Sequence, residues 1–322
     1  MNETVEIGDL LLGDILLYEG TGLLSRKISK YDKTDYSHSA IYVGNNEVIE
    51  AVTGGVQQRT LKESYGDNHS KISVLRLKIP VANMQPVIDV AKAYEQNGNG
   101  FAQTQIIMLG LIMITHEHRL TEASAIFIDN ILQNAAVELF NFTKRNKEPF
   151  ICSELVYRSY TEAIAETDDH YIIKITNSST MPLGQHSDNN ESIISKIFNH
   201  NSASHPSSFV QRQNIISSSF NGQIIENWEQ KIEILSQQIN TSNSSELTNE
   251  TTNQLKENTD RFLSALYFGN KKDSEFIAPD NTNDILDSFF RDNANFVSPG
   301  DLYRSDSLKK VGKLNMSEIT RE

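Results

Sequence analysis

The first part of the chain alternates between short apolar runs and turn-forming residues, a pattern typical of a sheet built from short strands. Gly-Asp steps at 8–9 and 13–14 each precede an apolar run. Gly44, Asn45 and Asn46 separate two further runs, and these residue types tolerate the positive φ that a tight β-hairpin requires. We therefore predict strands at 15–18, 40–43, 47–52, 72–77 and 171–175.

Apolar residues at intervals of three and four predict helices between and after these strands. The clearest example begins at Pro86, because proline is favoured in the first turn of a helix. Another begins at Cys152, where Val156 and Tyr160 continue a helical apolar face. The predicted helices are 23–28, 86–98, 102–115, 121–143 and 152–165.

From about residue 176 to 260 the chain is rich in Ser, Asn, Thr and Gln, which is typical of a partly disordered insertion. Two amphipathic helices are predicted in this region. The first covers residues 225–239 and includes Trp228, and the second includes Leu255, Phe262 and Leu266. The first has coiled-coil spacing, but two heptads are too few to predict a coiled coil.

Composition and charge narrow the classes of function. A net charge of -13 and a pI near 5.1, without a basic stripe, argue against a nucleic-acid partner. The N-terminus lacks the basic and apolar regions of a secretory signal. The longest apolar run, 106–114, is shorter than the roughly 18 to 20 residues that span a bilayer. We therefore expect a cytoplasmic protein without a transmembrane segment, and secretion by a signal-independent route stays open.

The chain has a single cysteine, Cys152, so an intramolecular disulfide is excluded. At a helix start, unpaired N–H groups and the positive end of the helix dipole favour the thiolate. The same N–H groups are donors for a developing oxyanion. His38 is the best candidate base among eight histidines, because only it opens a clear strand. An imidazole beside this thiol would take its proton and form an ion pair.

Glu50 is the candidate for a third residue that orients the imidazole, since it lies on the hairpin partner of the His38 strand. With a three-residue loop at 44–46, Glu50 pairs with Ala40 and shares a face with His38. A two-residue loop at 45–46 without a bulge puts His38 and Glu50 on opposite faces. The sequence leaves both registers open.

Each candidate also has an ordinary interpretation. A lone cysteine is most often a small buried hydrophobic residue, and a lone histidine or strand glutamate is most often an ordinary polar residue. His116 and His118 have metal-ligand character but no third ligand at a recognisable spacing. We therefore predict neither a metal nor a cofactor. The apolar run 106–114 favours a buried helix over a lipid-contacting surface.

Four motifs together resemble a known family. They lie at 13–17, 36–44, 48–51 and 150–156, and they are similar to the YiiX/YebB-like permuted branch of the NlpC/P60 papain-like superfamily. Lecithin:retinol acyltransferase-like proteins are more distantly similar. In that branch the fold is circularly permuted, so the strand-borne histidine precedes the cysteine helix, as here. The resemblance implies Cys152 as nucleophile, His38 as base and Glu50 as the orienting residue.

The fold implied by the resemblance is α+β. It is a circularly permuted papain-like (NlpC/P60) fold, in which an antiparallel sheet packs on the cysteine-bearing helix. Residues 1–178 would form the first segment of the catalytic domain, and 179–294 a mostly helical or disordered insertion. Residues 295–322 would close the domain, because 297–302 resemble the family's closing segment.

The function implied is a cysteine hydrolase or acyltransferase that cleaves an amide or ester through a thioester acyl-enzyme. Expected substrates are peptide-like amides or lipid acyl esters. Two alternatives remain: a catalytically inactive binding module with the same fold, and an interaction protein that acts through 179–294. In the second alternative, Trp228 and Phe262 would contact a protein partner.

Overall fold

The computed structural model describes residues 3–52, 55–66, 69–97, 104–115, 121–143, 151–163, 171–175, 247–269, 297–315 and 317. The strands are β1 (Thr4–Val5), β2 (Ile15–Gly20), β3 (His38–Gly44), β4 (Glu47–Val52), β5 (Gly55–Thr60), β6 (His69–Leu77) and β7 (Leu308–Leu314). The α-helices are α1 (Leu23–Asp32), α2 (Leu61–Tyr65), α3 (Gln85–Gln96), α4 (Thr104–Thr115), α5 (Glu122–Thr143), α6 (Cys152–Thr161), α7 (Asn249–Gly269) and α8 (Pro299–Arg304). A short 3₁₀ helix covers Ile7–Asp9.

The strands form one seven-stranded sheet in the order β1-β7-β6-β2-β3-β4-β5. Every neighbouring pair is antiparallel except β1 and β7, which are parallel. The mixed α/β architecture and the strands β2, β3, β4 and β6 confirm the sequence prediction. The sequence did not predict β1, β5 or β7. These strands lie at or near the edges of the sheet, where polar residues such as Gln57 and Lys309 weaken the apolar pattern.

Both faces of the sheet are buried. One face carries Ile41 and Ile49, which pack with Val87 of α3 and with Leu155 and Val156 of α6. The opposite face carries a second apolar cluster, whose strand residues include Leu16, Tyr18, Ala40, Val48 and Ile72. Because side chains alternate between the faces of a strand, a sheet covered on both sides needs apolar residues at nearly every position. This explains the unbroken apolar run of β2.

The predicted strand at 171–175 is wrong, because this segment pairs with no strand. Tyr171 and Ile173 are buried and Ile172 is exposed, so the side chains do alternate. The backbone is held instead by hydroxyl groups: Lys174 N donates to Ser307 Oγ at 2.8 Å, and Ser305 Oγ donates to Lys174 O at 2.7 Å. An extended loop therefore shows the same alternation as a strand.

The chain divides into two compact units. The first comprises Met1–Met108, Phe150–Ser178 and Phe296–Glu322, and the second comprises Leu109–Pro149 and Ser179–Asn295. The second unit joins 109–149 to 179–295, whereas the sequence-based prediction places 109–149 in the first segment; the domain bounds expected from the sequence stay a prediction.

The second unit contains α5 and α7, and polar contacts between them explain why 109–149 belongs there. Glu122 accepts a hydrogen bond from Thr248 N at 2.9 Å, and Asn258 donates to Asp129 at 2.7 Å. The helix α7 confirms the second of the two predicted amphipathic helices. The first, at 225–239, lies outside the described residues. Over the described part of the chain, each helix is too short or too polar to cross a membrane.

Candidate active site

The β3–β4 hairpin turns through two residues, Asn45 and Asn46, with φ of 53° and 60°. This is the left-handed conformation that asparagine tolerates well. Gly44 precedes them with φ of 93°, and the register shifts between Tyr42 and Gly44. An extra residue is therefore accommodated in β3, as in a β-bulge.

The bulge decides which register forms. Ala40 pairs with Glu50, as expected for a three-residue loop, although the loop has two residues. A two-residue loop without a bulge was the alternative that separated His38 from Glu50. The extra residue at Val43 compensates for the shorter turn, so His38 and Glu50 lie on the same face.

His38 and Glu50 are in direct contact, with His38 Nε2 2.7 Å from Glu50 Oε2. Both residues are buried, with 4% and 0% of their surface exposed. Burial alone raises the pKa of the Glu50 carboxyl, but the hydrogen bond and charge of His38, with Ser64 and Arg59, lower it below its usual value. Glu50 therefore provides a buried carboxylate next to the imidazole.

Cys152 is the first residue of α6, and the extended residue before it, Ile151, caps the helix. Its thiol is fully buried, and the His38 side chain beside it lowers the pKa of the thiol against the effect of burial. Because Glu50 occupies Nε2, Nδ1 is the ring nitrogen left for the sulfur. Ser39 also lies near the sulfur and lowers the pKa of the thiol, and the buried Ser39 hydroxyl has no hydrogen-bond partner among the described residues.

The electrostatics of this contact favour an ion pair. Burial by itself lowers the pKa of His38 and raises that of Cys152. The interaction between the two residues outweighs the effect of burial, so the pKa of His38 is raised and the pKa of Cys152 is lowered. With the further help of Glu50, the pKa of His38 rises to about 10. The pKa of Cys152 falls below its ordinary value.

Two side chains outside the predicted set hold Glu50. Arg59 Nη1 donates to Glu50 Oε1 at 3.0 Å. Ser64 Oγ lies 2.8 Å from both Glu50 Oε2 and the Tyr18 hydroxyl. Since a carboxylate only accepts, Ser64 donates to Glu50 and accepts from Tyr18. The chain of contacts thus runs from Tyr18 through Ser64 and Glu50 to His38.

His69 is a second histidine beside His38. The two rings are stacked with centroids 5.9 Å apart and planes at 27°. His69 Nδ1 donates to Tyr65 O at 2.7 Å, which fixes the proton on that nitrogen. Burial and the positive charge of His38 lower the pKa of His69 to about 4. His69 is therefore a neutral ring that packs against His38.

The segment after the insertion anchors the cysteine helix. Ser153, next to the nucleophile candidate, donates through Oγ to Val297 O at 2.6 Å. The buried Asp32 of α1 accepts from Ser298 Oγ at 2.7 Å and from Gly300 N at 2.6 Å. Only glycine fits at position 300, because a Cβ there would lie 2.3 Å from Asp32 Oδ2.

Sequence reasoning missed the residues that support the site, namely Arg59, Ser64, Tyr18, His69 and Asp32. One local pattern was available: Thr60 and Glu63 form a capping box that starts α2. This pattern would have placed a helix directly after β5, with Ser64 in its first turns. The other contacts depend on strand pairing across the sheet and have no local pattern.

Within the described residues, no group of three or more His, Cys, Asp or Glu side chains is arranged to hold a metal ion. His116 and His118 lie outside those residues.

Comparison with known proteins gives three findings. Residues 9–102 match the family of permuted papain-like amidase enzymes of the YaeF/YiiX type. A similar protein is the probable lipoprotein peptidase YaeF of Escherichia coli (strain K12), 30% identical over 159 residues, or 48% of this chain and 57% of that protein. The chain thus spans little more than half the length of this curated relative.

A similar solved structure is the metalloprotein YiiX of Escherichia coli O157:H7. It is 22% identical, with 48% of this chain and 66% of that chain covered and a TM-score of 0.30.

Proposed function

We propose that the protein is a cysteine hydrolase of amide bonds in peptide-like substrates, because residues 9–102 match the YaeF/YiiX family of permuted papain-like amidases. In this proposal Cys152 is the nucleophile, His38 the acid–base residue and Glu50 the orienting residue. The observation that carries the proposal is the buried line of contacts from Glu50 through His38 to the thiol at the start of α6.

The reaction begins with the ion pair. The Cys152 thiolate attacks the amide carbonyl, and His38 in its imidazolium form donates a proton to the leaving nitrogen. A thioester and a free amine result. Water then attacks the thioester while His38, now neutral, takes its proton, and the carboxylic acid leaves as the thiolate is restored. Glu50 holds the ring so that Nδ1 faces the sulfur throughout.

The oxyanion formed in both steps would be stabilised at the start of α6. The first N–H groups of any helix have no partner inside that helix, and the helix dipole adds positive potential there. Cys152 is the first helical residue, so its own N–H lies next to the reacting carbon.

We propose amide cleavage in preference to ester cleavage or acyl transfer because of the similar proteins. The family is described as amidases, and the similar YaeF is named a peptidase. The same thioester would also form from a lipid ester, and an acceptor other than water would resolve it by acyl transfer. The cytoplasmic location expected from the sequence stays a prediction.

The burial of the nucleophile adds a requirement. Cys152 is 0% exposed and His38 is 4% exposed, so a substrate carbonyl reaches the sulfur only after the surrounding chain opens. Opening affects the absolute rate of any reaction at this thiol. The pH at which the rate changes reports the protonation of the thiol.

The decisive experiment measures the rate of iodoacetamide alkylation against pH in the wild type and in His38→Ala. With one cysteine in the chain, every alkylation event is at Cys152, and Cys152→Ala provides the blank. The proposal expects a reactive plateau that extends well below pH 7 in the wild type and is lost in His38→Ala. A midpoint near the free-thiol value of about 8.5 in both proteins would contradict it.

The non-catalytic alternatives and the hydrolase proposal predict different effects of the Cys152→Ala substitution. If the protein is a binding module or acts through 179–294, Cys152→Ala retains full biological activity. If it is a hydrolase, Cys152→Ala abolishes turnover of a peptide-amide library. Partner binding through 179–294 is a separate property, which deletion of that segment tests while hydrolysis is followed.

A further inference from the structure

Arg59 places a positive charge beside the candidate site, and this charge takes no part in the proposed steps of hydrolysis. Its Nη1 donates to Glu50 Oε1 at 3.0 Å, and its Nη2 donates to Glu63 O at 2.7 Å. The Arg59 side chain is 31% exposed, whereas that of Glu50 is 1% exposed. A partly solvated cation is therefore in direct contact with a fully buried carboxylate.

The two oxygens of Glu50 have different partners. Oε2 accepts from both His38 and Ser64, while Oε1 accepts from Arg59. Among the described residues, Arg59 is the only side chain that donates to Oε1. If Arg59 were removed, that buried oxygen would have no side-chain donor, which is costly for a carboxylate.

Arg59 is held in place by the short helix that follows it. The Thr60 backbone N–H donates to Glu63 Oε2 at 2.9 Å, and Glu63 N donates back to Thr60 Oγ1 at 3.2 Å. This capping box fixes the first turn of α2, which supplies both the Glu63 carbonyl for Arg59 and the Ser64 hydroxyl for Glu50. Two of the three side chains that contact Glu50 therefore come from residues 59–64.

We propose that Arg59 is a positioning residue that keeps Glu50 ionised, and that it thereby keeps the His38–Cys152 ion pair intact in acid. This inference rests on the proposed function of that ion pair. Within the described part of the chain, Arg59 forms no hydrogen bond or ion pair with the imidazole or the sulfur; it acts through Glu50.

The physical reason is the charge balance around Glu50. Burial raises the pKa of this carboxyl, and His38, Ser64 and Arg59 lower it. Three further groups lie near: Tyr18, whose pKa burial and the charge of Glu50 raise; His69, which burial and His38 keep neutral; and Glu63, a carboxylate whose charge opposes that of Glu50. None of them supplies a positive charge to Glu50 at neutral pH. Arg59 is the cation that remains when the charge of His38 is balanced by the thiolate.

Loss of Arg59 would therefore act in a defined direction. Glu50 would take up a proton at a higher pH than in the wild type, and a neutral Glu50 no longer balances the imidazolium. The ion pair would then give way to neutral thiol and imidazole, and the reactive plateau would end at a higher pH. An opposite charge within about 4–6 Å typically moves a carboxyl pKa by about one to three units.

The experiment compares the wild type with Arg59→Gln, Arg59→Lys and Arg76→Gln. Arg76 is a matched control, since it is a partly exposed arginine that binds another buried carboxylate, Asp14, on the same sheet. Two quantities are measured: the titration of the Glu50 carboxyl by ¹³C NMR, with Glu50→Gln for assignment, and the acid limb of iodoacetamide alkylation.

We expect both midpoints to move up by about one pH unit or more in Arg59→Gln. Arg59→Lys keeps the charge, so its midpoints should lie close to those of the wild type, and Arg76→Gln should leave both midpoints unchanged.

Unchanged midpoints in Arg59→Gln, with a normal wild-type plateau, would overturn the role of Arg59 and leave the hydrolase proposal standing. A wild type without a low-pH plateau would overturn both proposals, even if Glu50 titrates differently in the variant. If Arg59→Gln does not fold, Arg59→Met carries the test, because it also removes the charge that reaches Glu50 through Nη1: raised midpoints would support the role of Arg59, and unchanged midpoints would overturn it.

Discussion

The sheet carries two buried carboxylates that each bind a partly exposed arginine. Asp14 accepts from Arg76 Nε at 2.6 Å and from Arg76 Nη2 at 2.7 Å, and its Oδ2 also accepts from Leu11 N at 2.9 Å. Glu50 accepts from Arg59, from Ser64 and from His38. The two residues are equally buried, with 1% and 0% exposed.

The two carboxylates differ in the groups that donate hydrogen bonds to them. The partners of Asp14 are a guanidinium and a backbone N–H, which do not lose their protons in the physiological range. Glu50 uses one of its oxygens for an imidazole, and that imidazole reaches a thiol. A buried ion pair is therefore not a functional site by itself. It becomes a candidate when its charge controls the protonation of a neighbouring nucleophile.

The largest expected difference between the Glu50 site and the Asp14 site is the effect of His38→Gln on amide hydrolysis. Without the imidazole, the thiol loses its base and its counterion, so amide hydrolysis should fall by about 10²- to 10⁴-fold. The measurement is turnover per folded molecule, with the folded fraction taken from circular dichroism. Turnover equal to that of the wild type would show that His38 has no catalytic role.

Asp14→Asn is expected to lower stability and to leave turnover per folded molecule unchanged. This change leaves Arg76, a quarter exposed, without its carboxylate, and breaking such a pair costs about 3 kcal/mol of unfolding free energy. Turnover per folded molecule should stay at the wild-type level. Denaturant unfolding followed by circular dichroism gives the first quantity. A lower turnover in the folded fraction would show that the two regions are coupled.

The pH dependence of stability should report how many protons His38 and Cys152 hold together in the folded protein. The pKa of His38 is raised from 6.5 to about 10 on folding, so its contribution is complete below 6.5 and is lost as the pH rises toward 10. The pKa of Cys152 is lowered from 9.0, so its contribution is complete above 9 and is lost as the pH falls. Between 6.5 and 9 the two changes act in opposite directions, because the imidazolium and the thiolate together hold one proton, as the unfolded pair does.

We therefore expect the pair to add no slope to the unfolding free energy between pH 6.5 and 9, and a fall on either side of this window. Cys152→Ala removes the compensating thiol and should introduce a decrease with rising pH. The measurement is the difference between the wild-type and Cys152→Ala denaturation curves at each pH. A constant difference across the window would mean that His38 does not stay protonated without the thiol, so that Glu50 alone does not keep its pKa raised.

The same comparison shows what the sequence predicts well. The positions of Cys152 at a helix start and of His38 at a strand start follow from local patterns, and the family resemblance is confirmed by the match of residues 9–102. The contact with Glu50 depended on a turn for which the sequence left two registers open. The bulge at Val43 decided it, and bulges leave little trace in an apolar pattern.

The groups behind Glu50 were not predictable in the same way. Arg59 lies on an edge strand whose polar residues conceal the strand, and His69 reaches His38 only through the pairing of β6 with β2 and of β2 with β3. The division at 109–149 was likewise hidden, because it depends on contacts between α5 and a helix more than one hundred residues later. Non-local pairing is what a single sequence specifies least.

The smallest effect is expected from Ser64→Ala. This change removes one of the three hydrogen bonds to Glu50 and the partner of the Tyr18 hydroxyl, while Arg59 and His38 stay in place. One hydrogen bond to a charged group is worth about 1.5–3 kcal/mol, and the donors that remain, His38 and Arg59, limit the loss. We expect hydrolysis to fall about tenfold or less, and the acid limb of alkylation to move in the same direction as in Arg59→Gln but by a smaller amount. The double variant Ser64→Ala/Arg59→Gln tests whether both act through Glu50: additive losses would mean independent roles, whereas a shared effect on the charge of one carboxylate gives a non-additive result.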